Sequence, residues 1–145
     1  MGLREYLLEW IRAFLNNRTQ KVRINEQISE SINISSGVPQ GSVLGPLIFL
    51  IYINDLCDVI KHSSIYLFAD DIKLFNVSSE KSSIQTDITE IFKWSKKWQL
   101  GISYEKSCVL HIGHSNPENS YTFGDKVIND QNAFVQDLGV LVQKT

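Results

Sequence analysis

Two adjacent aspartates, Asp70 and Asp71, stand between two short apolar runs, Ile65-Tyr66-Leu67-Phe68 and Ile72-Lys73-Leu74-Phe75. Neighbouring carboxylates repel each other, and a divalent cation relieves that repulsion. Mg²⁺ takes one or two carboxylates together with waters and substrate phosphates. Two such ions about 3.5–4 Å apart activate an attacking oxygen and stabilise a leaving one. A solvated hairpin turn also favours aspartate, so the dipeptide alone leaves both readings open. A second segment, Ser36-Gly37-Val38-Pro39-Gln40-Gly41-Ser42-Val43-Leu44-Gly45-Pro46, holds three glycines and two prolines. Its backbone amides and the Gln40 amide carry little bulk around them, which suits close packing against a base pair or an incoming nucleotide. Cys108, His111 and His114 offer metal-ligating atoms, but strand alternation would put Cys108 and His111 on opposite faces, and no fourth ligand lies near in sequence.

These groups need elements to position them. Leu3, Leu7, Trp10, Ile11, Phe14 and Leu15 recur at helical spacing and end at the polar pair Asn16-Asn17. Lys21-Val22-Arg23-Ile24 and Ser31-Ile32-Asn33-Ile34 alternate around a turn at Asn25-Glu26-Gln27, which predicts that the two runs pair as a hairpin. The apolar stretch 43–53 reads as a buried helix with Pro46 in its first turn. The runs on either side of Ala69-Asp70-Asp71 read as a strand, a tight turn and a returning strand. Ser82 followed by Gln85 reads as a capping box. The helix it opens carries Ile84, Ile88, Ile91, Phe92, Ser95 and Trp98 on or near one face, Lys93, Lys96 and Lys97 near its end, and Gly101 as its stop. Trp94 and Trp98 are expected to pack rather than to stack on bases. Asn54-Asp55 reads as a polar helix stop, and Lys73 as a solvent-facing strand residue. Segments 109–112, 121–123 and 138–142 read as further strands. The expected fold is α+β, with helices against a mostly antiparallel sheet.

The chain has 145 residues, 43% hydrophobic and 21% charged, the make-up of one ordinary soluble domain. Its net charge of −2 excludes a general basic surplus for gripping a phosphate backbone, so nucleic-acid contact is expected to be local. The local surplus lies at Arg4, Arg12, Arg18, Lys21 and Arg23. The two cysteines match neither a disulfide framework nor paired zinc-ligand spacing, which points to a reducing compartment. No secretion signal is visible, and stretch 43–53 falls short of the ~20 residues that span a bilayer. The expectation is an intracellular location, nucleus or cytoplasm, with no membrane partner.

Ser36-Gly37-Val38-Pro39-Gln40-Gly41-Ser42-Val43-Leu44-Gly45-Pro46-Leu47 with Ile51-Tyr52-Ile53-Asn54-Asp55-Leu56, followed by Leu67-Phe68-Ala69-Asp70-Asp71, resembles the reverse transcriptases of non-long-terminal-repeat retrotransposons, particularly the jockey-like group. The resemblance covers nearly the whole chain and implies a polymerase palm. It implies that Phe68-Ala69-Asp70-Asp71 is the catalytic box, with Asp70 binding two Mg²⁺ ions, or Mn²⁺ in their place, and Asp71 supporting them. Gly37, Pro39, Gln40 and Gly41 would then pack near the nascent pair and, with Phe68 and Ala69, contact template or nucleotide. Trp98-Gln99-Leu100-Gly101-Ile102-Ser103-Tyr104-Glu105-Lys106 resembles the segment whose lysine, here Lys106, is a candidate acid for the pyrophosphate leaving group. Asp137-Leu138-Gly139-Val140 resembles the primer-gripping hairpin, with Leu138 and Gly139 as the implied primer-grip residues. RNA template, DNA primer and deoxynucleoside triphosphate are the implied partners.

Two departures accompany the match. Ser103-Tyr104 stands where the family usually carries Asn-Pro. The family's other catalytic aspartate, on a strand in a Phe-Asp-containing box, has no counterpart between Met1 and Arg23. The expectation is therefore a partial domain, residues 1–145, lacking the first catalytic strand, the fingers and the thumb, and inactive alone. Two other readings compete. One is a non-catalytic remnant that binds nucleic acid or a partner through its basic first helix and hairpin. The other is an unrelated two-metal nuclease, which leaves the glycine-proline loop unexplained.

Overall fold

The computed structural model describes residues 4–77, 81–130 and 134–143. The chain divides into two compact units, Met1–Tyr52 and Ile53–Thr145.

The first unit opens with α1 (Glu5–Leu15). Its apolar residues recur every three or four positions, and Trp10 stacks on Phe14 one turn later at 5.9 Å and 8°. Leu3, expected on the same stripe, lies outside the described residues. The helix ends at the expected place. Asn16 leaves helical geometry while its N–H still reaches the Arg12 carbonyl, and Asn17 takes a positive φ of 56°. The strands beyond it differ from expectation. Strand β1 (Arg18–Gln20) pairs antiparallel with β4 (Ile32–Ile34), while β2 (Arg23–Ile24) pairs with β3 (Gln27–Ile28). Segments 21–24 and 31–34 therefore have separate partners. The two-residue turn Asn25-Glu26, with Asn25 at φ +54°, closes β2 on its near neighbour before the chain reaches Ser31.

Helix α2 (Gly45–Ile53) carries Pro46 in its first turn, where a missing N–H costs nothing. The Gly45 N–H donates to the Ser42 hydroxyl at 3.0 Å. The expectation of a buried helix is corrected. Gly45 and Ile53 are buried, yet Leu47, Leu50 and Ile51 are about half exposed, at 53%, 48% and 51%. A helix that is apolar all round needs cover all round, and among the described residues it does not receive it. No helix of the described residues is long and apolar enough to cross a membrane.

In the second unit a 3₁₀ segment, Asn54–Val59, leads to the hairpin β5 (Ser64–Phe68) and β6 (Asp71–Phe75), then to α3 (Lys81–Lys97). Ile88 of α3, Tyr121 and Ile128 form a buried cluster, with Leu74, Ile84, Val109 and Phe123 packed around it. The capping box does not form. Ser82 already lies inside the helix, and the Gln85 amide instead donates to the Thr122 carbonyl and accepts from the Thr122 N–H, both at 2.9 Å. Gly101 is not the stop either. Gln99 takes the left-handed position, φ +55°, its N–H meets the Lys96 carbonyl, and the Leu100 N–H reaches back to the Ser95 carbonyl at 3.0 Å, which closes a Schellman motif on a glutamine.

Segment 109–112 forms no strand. Its ladder shrinks to one parallel bridge, Cys108 with Asn129, because the Val109 N–H finds the Asn129 carbonyl and nothing continues the register. The expected strand 121–123 is β7 (Thr122–Phe123), paired with β8 (Lys126–Val127). Segment 138–142 is not one strand. Leu138-Gly139, at φ +47° and +84°, is the turn between β9 (Phe134–Asp137) and β10 (Val140–Gln143). The described residues thus mix helices with antiparallel strands, but as five two-stranded ladders rather than one sheet. The strands are only two to five residues long, and four of the five ladders close locally on two-residue turns.

Candidate functional site

The β5–β6 hairpin is clamped at its base and free at its tip. Five residue pairs run from Ser64–Phe75 to Phe68–Asp71, leaving Ala69-Asp70 as the turn. Alternation puts Ile65, Leu67, Ile72 and Leu74 on one half-buried face, and Leu74 packs on the α3 cluster. Asn76, just past β6, donates through Nδ2 to the His62 carbonyl at 2.9 Å and to the Ser83 hydroxyl at 3.1 Å. The segment before β5 is held by Asp87 of α3. Oδ1 of Asp87 accepts the Lys61 N–H at 2.9 Å, and Oδ2 accepts the His62 N–H at 3.0 Å.

Asp87 is fully buried. Burial pushes its pKa up, but the Lys61 amide, the Ser63 hydroxyl and the amides of His62 and Ser63 outweigh that and hold it below the ordinary carboxylate value. The Ser63 hydroxyl acts by proximity, being buried without a completed hydrogen bond. Sequence reasoning missed this residue. Its signal was a charge three residues after Ile84 and four before Ile91, on a stripe that is otherwise apolar.

At the tip, Ala69 takes φ +51°, a left-handed value at the first position of the turn, where glycine is usual. Asp70 follows in the turn, and Asp71 opens β6 opposite Phe68. All four residues of Phe68-Ala69-Asp70-Asp71 are exposed. Neither carboxylate has a side-chain partner among the described residues, so water eases their mutual repulsion and their oxygens are free to accept.

Lys73 departs from expectation. Its Nζ lies 2.6 Å from Oδ1 and 2.8 Å from Oδ2 of Asp137, the last residue of β9 before the Leu138-Gly139 turn. The lysine is partly buried, with Asp137 as its ion-pair partner. Lys106 sits exposed at the end of a 3₁₀ turn, Tyr104–Lys106. Asp55, read as a simple polar stop, accepts the Trp94 indole N–H at 2.8 Å, and Trp94 is buried as expected of a packing residue.

The glycine-proline loop belongs to the first unit. Gly37 and Gly41 take φ +72° and +78°, with no atom near where a Cβ would stand, so the backbone alone requires glycine there. Arg18 pins one end of the loop, donating through Nη2 to the Gly37 carbonyl at 2.6 Å and the Ser36 carbonyl at 3.1 Å, and through Nε to the Leu15 carbonyl at 2.7 Å. The half-buried Pro39 offers its carbonyl to the Ser42 hydroxyl at 2.7 Å, and Gln40 is exposed. Arg23 donates through Nε to the Asn25 carbonyl. Two of the five local basic residues thus hold backbone, which weakens the reading of this end as a phosphate grip.

Among the described residues no three His, Cys, Asp or Glu side chains group as metal ligands, so Cys108, His111 and His114 form no cluster. Burial raises the pKa of Cys108, which leaves it a poor thiolate ligand. A cleft of about 560 Å³ lies between the end of α3, residues 99–104 and the β7–β8 turn. It includes Phe92, Lys96, Tyr104 and Lys126 but neither Asp70 nor Asp71.

Comparison with known proteins adds a family to this geometry. Residues 1–140 match the family model described as reverse transcriptase (RNA-dependent DNA polymerase). The chain is 32% identical over 105 residues to a probable RNA-directed DNA polymerase from transposon X-element of Drosophila melanogaster, covering 67% of this chain and 12% of that protein. It is 29% identical over 147 residues to a probable RNA-directed DNA polymerase from transposon BS of the same species, covering 92% and 16%. With the RNA-directed DNA polymerase from mobile element jockey, also of Drosophila melanogaster, it shares 27% over 107 residues, covering 66% and 12%. The chain therefore spans only about one eighth to one sixth of the length of these relatives. No solved structure gives a significant match.

Proposed function

The chain belongs to the reverse transcriptase (RNA-dependent DNA polymerase) family, and on that premise we propose that it is part of the palm of a retrotransposon polymerase that copies RNA into DNA. The observation that carries this reading is the β5–β6 hairpin, held firmly at its base while Asp70 and Asp71 stand exposed at its tip with no side-chain partner among the described residues. Carboxylates so presented fit Mg²⁺ or Mn²⁺, being hard oxygen donors with free coordination capacity. They fit as half of a site, since no third ligand groups with them among the described residues. Bound there, the cation supplies positive charge to the nucleotide phosphates and makes the primer 3′ hydroxyl a better nucleophile.

The remaining roles follow from this assignment. Asp70 and Asp71 hold the charge that fixes the reacting ends, and Phe68 and Ala69 shape the turn beside them. Gly37, Pro39, Gln40 and Gly41 give a bulk-free backbone and one amide side chain to the templated base or nucleotide. Lys106 holds the proton that the leaving pyrophosphate takes up. Leu138 and Gly139 meet the primer end through an exposed turn. RNA template, DNA primer and deoxynucleoside triphosphates are the partners.

The test is primer extension on an RNA template with Mg²⁺, using the longer polymerase that contains this chain. Asp70→Asn is expected to lower the rate by roughly 10³-fold, the size of losing a central electrostatic stabiliser. Undiminished extension by that variant would overturn the assignment. The 145-residue chain alone is expected not to extend. Mg²⁺-dependent extension by it, lost in Asp70→Asn, would overturn the view that Asp70 and Asp71 are half of a site.

A further inference from the structure

The outer face of the β5–β6 hairpin carries Ser64, Tyr66, Phe68, Asp71, Lys73 and Phe75, which the register places side by side. All are exposed except Lys73. Beside it lies the Asp137 carboxylate, whose two oxygens are 2.6 and 2.8 Å from the Lys73 ammonium. The ion pair joins segments 64 residues apart. Lys73 is two residues beyond Asp71 on the same face, about 7 Å along the strand. Asp137 immediately precedes the Leu138-Gly139 turn.

From this juxtaposition we infer that Lys73 and Asp137 are positioning residues, whose ion pair fixes the β9–β10 turn against the strand that carries the catalytic carboxylates. The inference rests on the polymerase reading for its consequence, though its geometry stands independently of it. The pair is more than a third exposed, so it adds little to overall stability. Its effect is on placement. A primer 3′ oxygen displaced by an ångström from its attacking position lowers a rate by about 10²-fold, while nucleotide binding need not change.

The test has two arms. In the 145-residue chain, Lys73→Met is expected to lower the backbone order parameters of Gly139 and Val140 by NMR while the melting temperature stays within about 3 °C, and Lys73→Arg is expected to preserve them. Unchanged order parameters in Lys73→Met would overturn the inference. In the longer polymerase, Lys73→Met and Asp137→Asn are each expected to lower kcat for primer extension by about tenfold or more, with KM for the nucleotide unchanged. Lys73→Arg should restore kcat, and the double variant should be no slower than either single one, because one interaction is lost in all three. Additive losses, or an unchanged kcat, would overturn it. If the unaltered polymerase extends no primer, the polymerase reading itself fails, and the NMR arm still decides whether the ion pair places the turn.

Discussion

Asp87 and the pair Asp70–Asp71 are the same side chain in opposite circumstances. Asp87 is sealed inside the second unit, its two oxygens holding the backbone of Lys61 and His62. Asp70 and Asp71 stand in solvent at the end of the hairpin that this anchoring steadies. A carboxylate whose acceptors are filled by the protein contributes to the fold. One whose acceptors are left empty on a rigid support is available to a ligand.

Exchanging the roles would break this contrast, and the largest expected effect is on activity. Asp70→Asn should abolish most primer extension in the longer polymerase yet move the stability of the 145-residue chain by no more than about 0.5 kcal/mol, as measured by urea unfolding. Asp87→Asn should do the reverse to stability. Losing a charged acceptor for buried amides costs about 2–3 kcal/mol, or roughly 6–10 °C in melting temperature by circular dichroism. Because the folded pKa of Asp87 lies below the ordinary value of 3.8, its contribution is full above that pH and disappears as pH falls through the folded pKa. The gap between wild type and Asp87→Asn should therefore close in acid. A constant gap would assign the effect to shape rather than charge.

The smallest effects sharpen the contrast at the backbone. Gln99 and Ala69 both hold positive φ without being glycine. Gln99→Gly and Ala69→Gly should each raise stability by about 0.5–1 kcal/mol by removing local strain. Only Ala69→Gly should also slow primer extension, several-fold, because Ala69 sets the turn that presents Asp70. Equal kinetics in the two variants would remove any functional meaning from the strained alanine.

The three helices and the β5–β6 hairpin were legible because each rests on a local pattern, whether 3.6-residue spacing, the placement of Pro46 or alternation about Ala69-Asp70-Asp71. Family membership was legible too, carried by the glycine-proline loop and the Asp-Asp box read together. The misses share a physical cause. Arg18–Gln20 rather than Lys21–Ile24 pairs with Ile32–Ile34 because Asn25 accepts a left-handed turn that an alternation count does not register. The α3 stop fell on Gln99 rather than Gly101 because capping geometry outweighed residue preference. Asp87 and the Lys73–Asp137 pair join segments 26 and 64 residues apart, and no local pattern marks such a partner.

The five separate ladders have a consequence for isotope labelling. In a two-stranded antiparallel ladder each strand turns alternate N–H groups to its partner and the rest outward to water. In D₂O the strands of this chain should therefore label in a picket pattern, every second amide fast. Continuous protection should be confined to the helix interiors, longest in α3, where each N–H has a carbonyl of its own helix to hold.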